Sequence, residues 1–257
     1  IRLNDGYVLV PRNAQKLRIM LADAPADGLE PGTCRVLRKL LAPGMTAVDI
    51  GANVGALTLA CARAVGPSGK VYAFEPEPAF ASLLDQTFDL NGISWIEVRR
   101  KAISHYNGRA NFHVSPIGGH SSLYELPPEE RARQMEIEVE TSRLDDILPR
   151  DAAVDLVKMD VEGAELDVLA GMPETIRNNP ELAIIAEFGP SHLANQNITP
   201  EQWTDRFLSH GVNLFAIDET TGRCEPASAK KLKHMHSVNL VMTRFGTRAY
   251  RPLVEAV

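Results

Sequence analysis

Four carboxylates stand at or near the ends of apolar runs in this chain of 257 residues. Asp49 lies in "TAVDI", Glu75 in "KVYAFEP", Asp160 closes "VDLVKMD", and Glu187 lies near the end of "ELAIIAEF". A carboxylate at such a position can bind a cation, accept hydrogen bonds from hydroxyl groups or remove a proton from a reacting oxygen. If the runs are parallel strands, their carboxyl ends meet at one edge of a sheet, where open α/β folds bind ligands. We therefore expect the four acids to line one cleft.

A glycine turn follows the first of these runs. The segment Gly51-Ala-Asn53-Val-Gly55 separates a predicted strand at 46–50 from a predicted helix over 55–65. Such a strand–turn–helix unit presents free backbone N–H groups to a bound cofactor. Dinucleotides favour Gly-x-Gly-x-x-Gly, because the middle glycine lets the diphosphate approach the backbone closely. Asn53 takes that middle position here, which disfavours a diphosphate.

The charge of Asp49 favours a different cofactor. A carboxylate two residues before the turn would repel a diphosphate, but it suits a ligand with an ammonium group, such as S-adenosylmethionine. Glu75 could accept hydrogen bonds from both ribose hydroxyls of either cofactor class. Simpler interpretations stay open, with Asp49 as a cap or buried hydrogen-bonding group and Glu75 as a solvated strand end. The two acids together, on adjacent strands, favour S-adenosylmethionine.

The later acids are candidates for chemistry on an acceptor. Methyl transfer to an alcohol requires the hydroxyl to lose its proton, so a nearby base or metal is expected. The catalytic candidates are Asp160, Glu187 and Glu162, although Glu162 could simply favour the N-terminus of the next helix. Asp160 and Glu187 could also bind a divalent metal such as Mg²⁺ through oxygen ligands. Lys158 is interpreted as an ion-pair partner of one of these acids.

The elements that must position these residues alternate between apolar runs and helical patterns, which is the order of a doubly wound α/β sheet. Strands are predicted at 46–50, 70–76, 94–100, 154–160 and 181–188, and helices at about 32–41, 55–65, 78–90, 163–171 and 200–210. Two late runs, 212–218 and 237–244, have no predicted helix between them and are interpreted as an antiparallel pair at one edge. The predicted fold is a mostly parallel, seven-stranded sheet with an antiparallel C-terminal strand pair.

Two segments lie outside this alternation. Residues 1–45 are predicted to form an N-terminal cap of the same domain, with a small ribbon from "GYVLVP" and "KLRIML". Residues 46–257 are predicted to form the main part, with a β-hairpin and loop insertion at about 104–143. Its strands "ANFHV" and "MEIEVET" alternate apolar and polar residues, as half-exposed strands do. The loop at 115–134 is rich in Gly, Ser and Pro and has the length of a lid or binding loop.

Glu165 and Asp167, on the helix after Asp160, are expected to be solvated.

Composition limits the partners. The net charge is −6, from 27 basic and 33 acidic side chains, and no basic cluster is long enough to bind phosphates, so no nucleic-acid partner is expected. Three cysteines without a Cys-x-x-Cys pair favour a reducing cytoplasm over a disulfide framework. No apolar run reaches the roughly 20 residues that a membrane helix needs, and no signal peptide is evident. The sequence leaves the oligomeric state open and is compatible with a homo-oligomer.

Six motifs, in order, resemble those of the FkbM-family S-adenosylmethionine-dependent methyltransferases: "VDIGANVGALTL", "VYAFEPEP", "LNGI", "KAIS", "TSRLDDIL" and "VDLVKMDVEGAELDVLAGM". The resemblance spans about residues 30–188 and is most specific in "KMDVEGAE". It implies a Rossmann-like class I methyltransferase fold. It also implies a cofactor-binding set, in which the methionine end meets Asp49, Gly51, Asn53, Gly55 and Thr58, the ribose meets Glu75, and adenine meets Pro76 and the backbone near Ala102.

The resemblance also implies an acceptor. The family transfers methyl groups to oxygen, commonly a hydroxyl of a sugar, glycan or polyketide-type small molecule. It has a serine-rich segment where this chain has His120, Ser121 and Ser122, which are therefore candidates for substrate contact. A histidine that is common near position 189 is replaced here by Gly189-Pro190. Whether His192 substitutes for it stays open.

Two other functions remain as alternatives. A nicotinamide-dependent oxidoreductase would need a Tyr-Lys or His proton relay, which the sequence does not reveal. A non-catalytic S-adenosylmethionine-binding module would not need acids beside the acceptor, whereas Asp160 and Glu187 are present.

Overall fold

The structure, a computed structural model, describes residues 1–12, 14–26, 28–115, 120–125 and 134–254. The strands within these ranges are β1 (Thr46–Ile50), β2 (Lys70–Phe74), β3 (Ile96–Arg99), β4 (Ala102–Ile103), β5 (Gly108–Val114), β6 (Met135–Ser142), β7 (Leu156–Met159), β8 (Ala183–Phe188), β9 (Val212–Ile217), β10 (Cys224–Pro226) and β11 (Val238–Arg244). The helices are α1 (Gln15–Asp23), α2 (Pro31–Leu40), α3 (Ala56–Val65), α4 (Pro78–Leu90), α5 (Leu144–Ile147), α6 (Glu165–Ala170), α7 (Pro173–Asn178), α8 (Pro190–Asn195), α9 (Pro200–Leu208), α10 (Ala229–Leu232) and α11 (Arg251–Val254).

The apolar runs form one sheet in the order β3-β2-β1-β7-β8-β11-β9-β10. Within this sheet, the neighbouring strands β3, β2, β1, β7 and β8 are parallel to one another. Strand β11 is antiparallel to both β8 and β9. The predicted doubly wound, mostly parallel sheet is confirmed, and β9 with β11 is the predicted antiparallel pair. The carboxyl ends of β1, β2, β7 and β8 consequently meet at one edge of the sheet.

The sequence did not indicate the eighth strand, β10, because it has three residues and no readable alternation. Its turn is stabilised by the Asp218 carboxylate, which accepts hydrogen bonds from the N–H groups of Thr220 and Thr221. The expectation that no helix separates β9 from β11 was also wrong. The single turn of α10 lies between them, and its Leu232 is buried because it closes the apolar core beneath it.

Helices cover both faces of the sheet, because successive residues of each buried strand alternate between two apolar cores. Ala47 of β1 belongs to the core that includes Leu37 of α2 and Leu59 of α3. Val48, its neighbour in β1, belongs to the opposite core with Trp203 of α9. This two-sided burial explains why the strands read as continuous apolar runs.

The inserted strands form a separate three-stranded sheet in the order β4-β6-β5. β5 and β6 pair antiparallel over seven residue pairs, as their alternation predicts. Their apolar face contains Phe112, Val114 and Val139, packed with Ala102 of β4. Much of the predicted loop, residues 116–119 and 126–133, lies outside the described residues.

The predicted N-terminal ribbon was wrong. Residues 15–23 form α1, and the strand-like contact nearby is a single bridge between Arg2 and Tyr7. Leu17 and Leu21, spaced by four residues, are buried together against Val54 and Phe80. The helical spacing of these leucines therefore prevails over the local alternation of "KLRIML".

No helix in the described part of the chain combines the length and apolar character that crossing a membrane would take.

Candidate active site

The glycine turn after β1 requires glycine at both ends. Gly51 has a φ of +82°, and a Cβ there would lie 1.9 Å from the carbonyl oxygen of Asp160. Its N–H donates to the carbonyl of Phe74 at 3.0 Å, which ties the turn to the end of β2. Gly55 has a φ of +83° just before α3, where a Cβ would lie 2.9 Å from Leu84. The turn can therefore pass closely between the ends of β2 and β7.

Asp49 is buried just before this turn. The residue is 1% exposed, and its Oδ2 accepts a hydrogen bond from Thr58 Oγ1 at 2.5 Å. Thr58 is itself fully buried. Neither side chain lines the described cleft, and the implied contact of Asp49 and Thr58 with a cofactor stays a prediction. The hydrogen bond from Thr58 fixes the orientation of the Asp49 carboxylate.

Lys158 lies between two acids. Its Nζ is 3.6 Å from Asp49 Oδ1 and 3.4 Å from Asp160 Oδ2. Burial would lower the pKa of Lys158, but the charges of Asp160 and Asp49 outweigh burial and raise this pKa. The predicted ion-pair role of Lys158 is confirmed. With Asp49 and Asp160 ionised and Lys158 protonated, these three side chains carry a net charge of −1.

Glu75 is held at the end of β2 by two backbone groups. Its Oε2 accepts from the N–H of Asn53 at 2.8 Å, and its Oε1 accepts from the N–H of Glu77 at 2.8 Å. Burial raises the pKa of Glu75 to about 7, although these hydrogen bonds act in the opposite direction. Each carboxylate oxygen keeps a second lone-pair direction that a ligand hydroxyl could use.

A cleft of about 600 Å³, open to solvent, lies above these strand ends. Among the predicted site residues, those that line it are Gly51, Asn53, Glu75, Pro76, Ala102, Ser121, Asp160 and Glu162. Eight further lining residues were not predicted as site residues: Ile50, Glu77, Ile103, Val161 and Ala164, and three large apolar side chains, Phe80, Phe112 and Leu123. Phe112 could have been found, because it lies on the apolar face of an alternating strand. Phe80, Phe112 and Leu123 give the cleft apolar walls against which a flat ring could pack.

The three predicted catalytic acids lie together at the edge of this cleft. One carboxylate oxygen from each of Asp160, Glu162 and Glu187 lies within 4.8 Å of the other two. Burial raises the pKa of Glu187 well above its usual value, and the charge of Asp160 raises it further. The hydroxyl of Ser237 donates a hydrogen bond to Glu187. Acids this close repel one another unless they share a proton or a cation.

The expectation that Glu165 is solvated was wrong. It is 3% exposed, and its Oε1 accepts a hydrogen bond from the N–H of Gly163 at 3.1 Å. The carboxylate therefore folds back onto the turn that carries Glu162. Burial raises the pKa of Glu165 to about 7. Asp167 is partly exposed and accepts a hydrogen bond from the Tyr124 hydroxyl at 2.6 Å.

The serine segment makes two different contacts. Ser121 Oγ donates to Glu77 Oε2 at 2.9 Å, beside the cleft. Ser122 Oγ donates to the carbonyl of Glu162 at 2.8 Å. His120 does not line the cleft but a second pocket, together with Ser122.

His192 of α8 reaches the acids from the side of this second pocket. Its Nδ1 is 3.3 Å from Glu162 Oε2. His192 therefore contacts an acid of the site, although it lies three residues after position 189, where the family commonly has a histidine. Its ring packs against Gly189, where a Cβ would lie 3.4 Å from the ring carbon Cγ.

A third pocket, open to solvent, shares Gly51 with the cleft and is lined by Glu30, Lys158 and Asp160 among others. Burial raises the pKa of Glu30 to about 7, and Asn239 Nδ2 donates to its Oε2 at 2.7 Å. Sequence reasoning missed Glu30 and Asn239, because neither stands in a motif and 209 positions separate them.

The strand order, the glycine turn and the strand-end acids define the class I fold of S-adenosylmethionine-dependent methyltransferases. The fold is similar to that of a candidate rRNA methylase from Clostridium thermocellum, with a TM-score of 0.52, 11% identity, and coverage of 84% of this chain and 94% of that one. The sequence model of the methyltransferase FkbM domain matches residues 49–214, and the chain belongs to this family.

Two relatives show the extent of the likeness. The chain is 31% identical over 148 residues to Methyltransferase 1 of Beauveria bassiana, covering 49% of this chain and 58% of that protein. It is 32% identical over 157 residues to the 2-O-methyltransferase NoeI of Sinorhizobium fredii, covering 55% of this chain and 63% of that protein. The chain thus matches about three fifths of the length of each relative.

Proposed function

We propose that this chain transfers a methyl group from S-adenosylmethionine to a hydroxyl group of a sugar, glycan or polyketide-type small molecule. One observation carries the proposal. The acids Asp160, Glu162 and Glu187 converge at the edge of the same cleft that Glu75 lines. An acceptor hydroxyl at that edge would lie beside a proton acceptor while the cofactor occupied the cleft.

The residues of the cleft fit S-adenosylmethionine. Glu75 has free lone-pair directions for two ribose hydroxyls, and the apolar walls suit adenine. Asp49 Oδ1 is buried and has no hydrogen-bond donor among the described residues. Together with the excess negative charge around Lys158, this oxygen favours a cationic group near the turn and disfavours a diphosphate.

When bound, S-adenosylmethionine supplies a methyl group that carries the positive character of its sulfonium. The task of the chain is to hold the acceptor oxygen in line and to take its proton. Asp160 suits the second task, because its carboxylate is partly exposed at the cleft while Lys158 fixes its orientation at 3.4 Å.

The acids Asp160, Glu162 and Glu187, called the acid trio from here on, could also bind a divalent metal. Three carboxylate oxygens within 4.8 Å of one another match the preference of Mg²⁺ for oxygen ligands. Asp160 and Glu187 would hold the ion, which would polarise an acceptor hydroxyl.

Two observations bear on the alternatives and on location. A nicotinamide oxidoreductase is less well supported, because the described residues that line the cleft include no Tyr, Lys or His for a proton relay. The free thiols of Cys34, Cys61 and Cys224 support the predicted reducing, cytoplasmic environment.

Calorimetry with three ligands tests the proposal. S-adenosylmethionine and S-adenosylhomocysteine should bind, and NAD should not. Transfer of a radiolabelled methyl group to hydroxylated glycans and macrolides, with and without chelator, then tests catalysis and metal dependence. Binding of NAD in place of the other two would overturn the proposal, and cofactor binding without any transfer would favour a non-catalytic module.

A further inference from the structure

Three residues line both the cofactor cleft and the third pocket, namely Gly51, Asn53 and Asp160. A ligand that fills the cleft can therefore extend past the glycine turn into the third pocket. Asn53 Oδ1 is buried and has no hydrogen-bond donor among the described residues, so this shared boundary contains an acceptor that a ligand could satisfy. The cleft itself offers Glu75 for a ribose and apolar walls for adenine. The amino-acid end of S-adenosylmethionine, with its ammonium and carboxylate groups, still needs partners.

Acidic side chains make the third pocket suitable for an ammonium group. Asp49 and Asp160 both lie beside Lys158, at 3.6 and 3.4 Å from its Nζ. Glu30 also lines the pocket, but it forms no ion pair within the described part of the chain. With all four side chains ionised, three carboxylates and one lysine give a net charge of −2. Glu30 is therefore the acid that a ligand cation would neutralise.

Glu30, the N-cap residue of α2, is held in place before any ligand binds. Asn239 Nδ2 donates to Glu30 Oε2 at 2.7 Å and to Glu219 Oε1 at 3.2 Å. Glu219 accepts in turn from the N–H groups of Gly32 and Thr33, in the first turn of α2, at 2.9 and 3.0 Å. This network fixes one carboxylate oxygen of Glu30, and the other, Oε1, can accept a hydrogen bond from a ligand.

The same pocket offers a place for the carboxylate group. Ala56 and Leu57, the first two residues of α3, line it. The N–H groups in the first turn of a helix have no partner within the helix and favour an anion. The N-cap residue Gly55 has no side chain that could occupy them. Leu17 and Leu21 of α1 also line the pocket and give it apolar surface for the methylene groups of the ligand.

We propose that the third pocket binds the amino-acid end of S-adenosylmethionine and that Glu30 accepts a hydrogen bond from its ammonium group. The inference rests on the proposed function. Glu30 and Asn239 both lie outside residues 49–214, the range that the family model matches. The N-terminal cap thus completes the cofactor site with a residue from outside that range.

Two ligands that differ only in the amino-acid end test this proposal. S-adenosylhomocysteine and 5′-methylthioadenosine share the adenosine and the thioether sulfur, but only the first has the ammonium and carboxylate groups. Calorimetry should show that the wild type binds S-adenosylhomocysteine more tightly. Glu30→Gln should weaken this binding by roughly tenfold or more, because a hydrogen bond to a charged acceptor is lost. It should bind 5′-methylthioadenosine as the wild type does, which also shows that the variant is folded.

A third ligand identifies the group that Glu30 contacts. The desamino analogue of S-adenosylhomocysteine keeps the carboxylate but has no ammonium group, so Glu30→Gln should not weaken its binding. Glu75→Gln is the reciprocal control, because all three ligands contain the ribose and should lose affinity by the same factor. Glu225→Gln, an exposed substitution outside both pockets, should bind all three ligands as the wild type does.

The possible failures are distinguishable. If Glu30→Gln weakened S-adenosylhomocysteine and 5′-methylthioadenosine equally, or weakened neither, the assignment of the third pocket would be overturned. An equal loss for the desamino analogue and S-adenosylhomocysteine would overturn the contact with the ammonium group. A wild-type protein that bound none of the three ligands would instead contradict the proposed function itself.

Discussion

The N–H of Asn53 donates to Oε2 of Glu75 at 2.8 Å, so the acid at the end of β2 is fastened to the glycine turn after β1. Glu75→Gln should weaken S-adenosylmethionine binding about tenfold to a hundredfold, because hydrogen bonds to a charged acceptor contribute about 1.5–3 kcal/mol. Calorimetry measures this change. Glu97→Gln, on the neighbouring strand β3 and outside the cleft lining, is the control and should keep wild-type affinity. Equal effects of the two substitutions would contradict a ribose-binding role.

The contact between Gly51 and Asp160 leads to a second prediction. Gly51→Ala should abolish cofactor binding and lower the melting temperature, because its Cβ would lie 1.9 Å from a carbonyl oxygen. Gly66→Ala is a matched control, because Gly66 has a φ of +62° and a Cβ there would meet no atom within 4 Å. It should cost about 1–3 kcal/mol of unfolding free energy, because its φ and ψ lie in a region that only glycine adopts readily, and it should keep cofactor affinity. Thermal unfolding and calorimetry separate the two variants, and equal behaviour would refute the close contact.

Asp160→Asn should separate binding from chemistry. The amide keeps the shape of the side chain but is a far weaker base, so transfer should slow by about a hundredfold or more. The dissociation constant of S-adenosylmethionine should change little. Asp151→Asn, an exposed substitution remote from the cleft, should leave both quantities unchanged. Retained turnover in Asp160→Asn would remove Asp160 from the reaction.

The pH dependence of stability should report on Glu165. Burial raises its pKa to about 7 in the folded protein, from an ordinary 4.5, so the folded state holds a proton that the unfolded chain has released. This contribution is fully present below pH 4.5 and is lost as the pH rises through 7. Between pH 5 and 8, the unfolding free energy of the wild type should fall more than that of Glu165→Gln, by up to about 3 kcal/mol. Urea unfolding across this range measures the difference. Parallel curves would show that the carboxyl titrates normally.

Metal binding gives a fifth prediction. Mg²⁺ should raise the melting temperature of the wild type, because a cation would relieve repulsion within the acid trio. It should have no such effect on Glu187→Gln, whereas the exposed substitution Glu225→Gln should respond as the wild type does. Thermal shift with and without chelator makes the comparison. The same shift in Glu187→Gln would place any bound ion elsewhere.

The sequence predicts the central sheet well, because a strand buried on both faces must be apolar throughout. It predicts the convergence of Asp160 and Glu187 for the same reason, since carboxyl ends of neighbouring parallel strands lie together. Orientation is harder to predict. Asp49 stands at a strand end, yet it is buried, accepts a hydrogen bond from Thr58 and does not line the cleft. The sequence predicts Glu165 to be a solvated helix residue, but its carboxylate accepts a hydrogen bond from the N–H of Gly163 in the turn before the helix.

Other parts of the site have no local signal. Glu30 meets Asn239 across 209 positions, because the fold brings the N-cap of α2 to β11. The two neighbouring serines have different partners, the Glu77 carboxylate for Ser121 and the Glu162 carbonyl for Ser122, and nothing in the sequence assigns them. The ribbon predicted from "KLRIML" failed because six residues can satisfy two periods equally well.

Because the turn at Gly51 lies against the main chain of Asp160, the proposed cofactor-binding turn and the proposed base are held at a fixed separation. Attempts to redirect this scaffold to new acceptors should therefore leave both strand ends untouched. Ser122 and Gln196 should be kept as well, because they donate hydrogen bonds to the carbonyls of Glu162 and Gly163, in the turn that carries the acids.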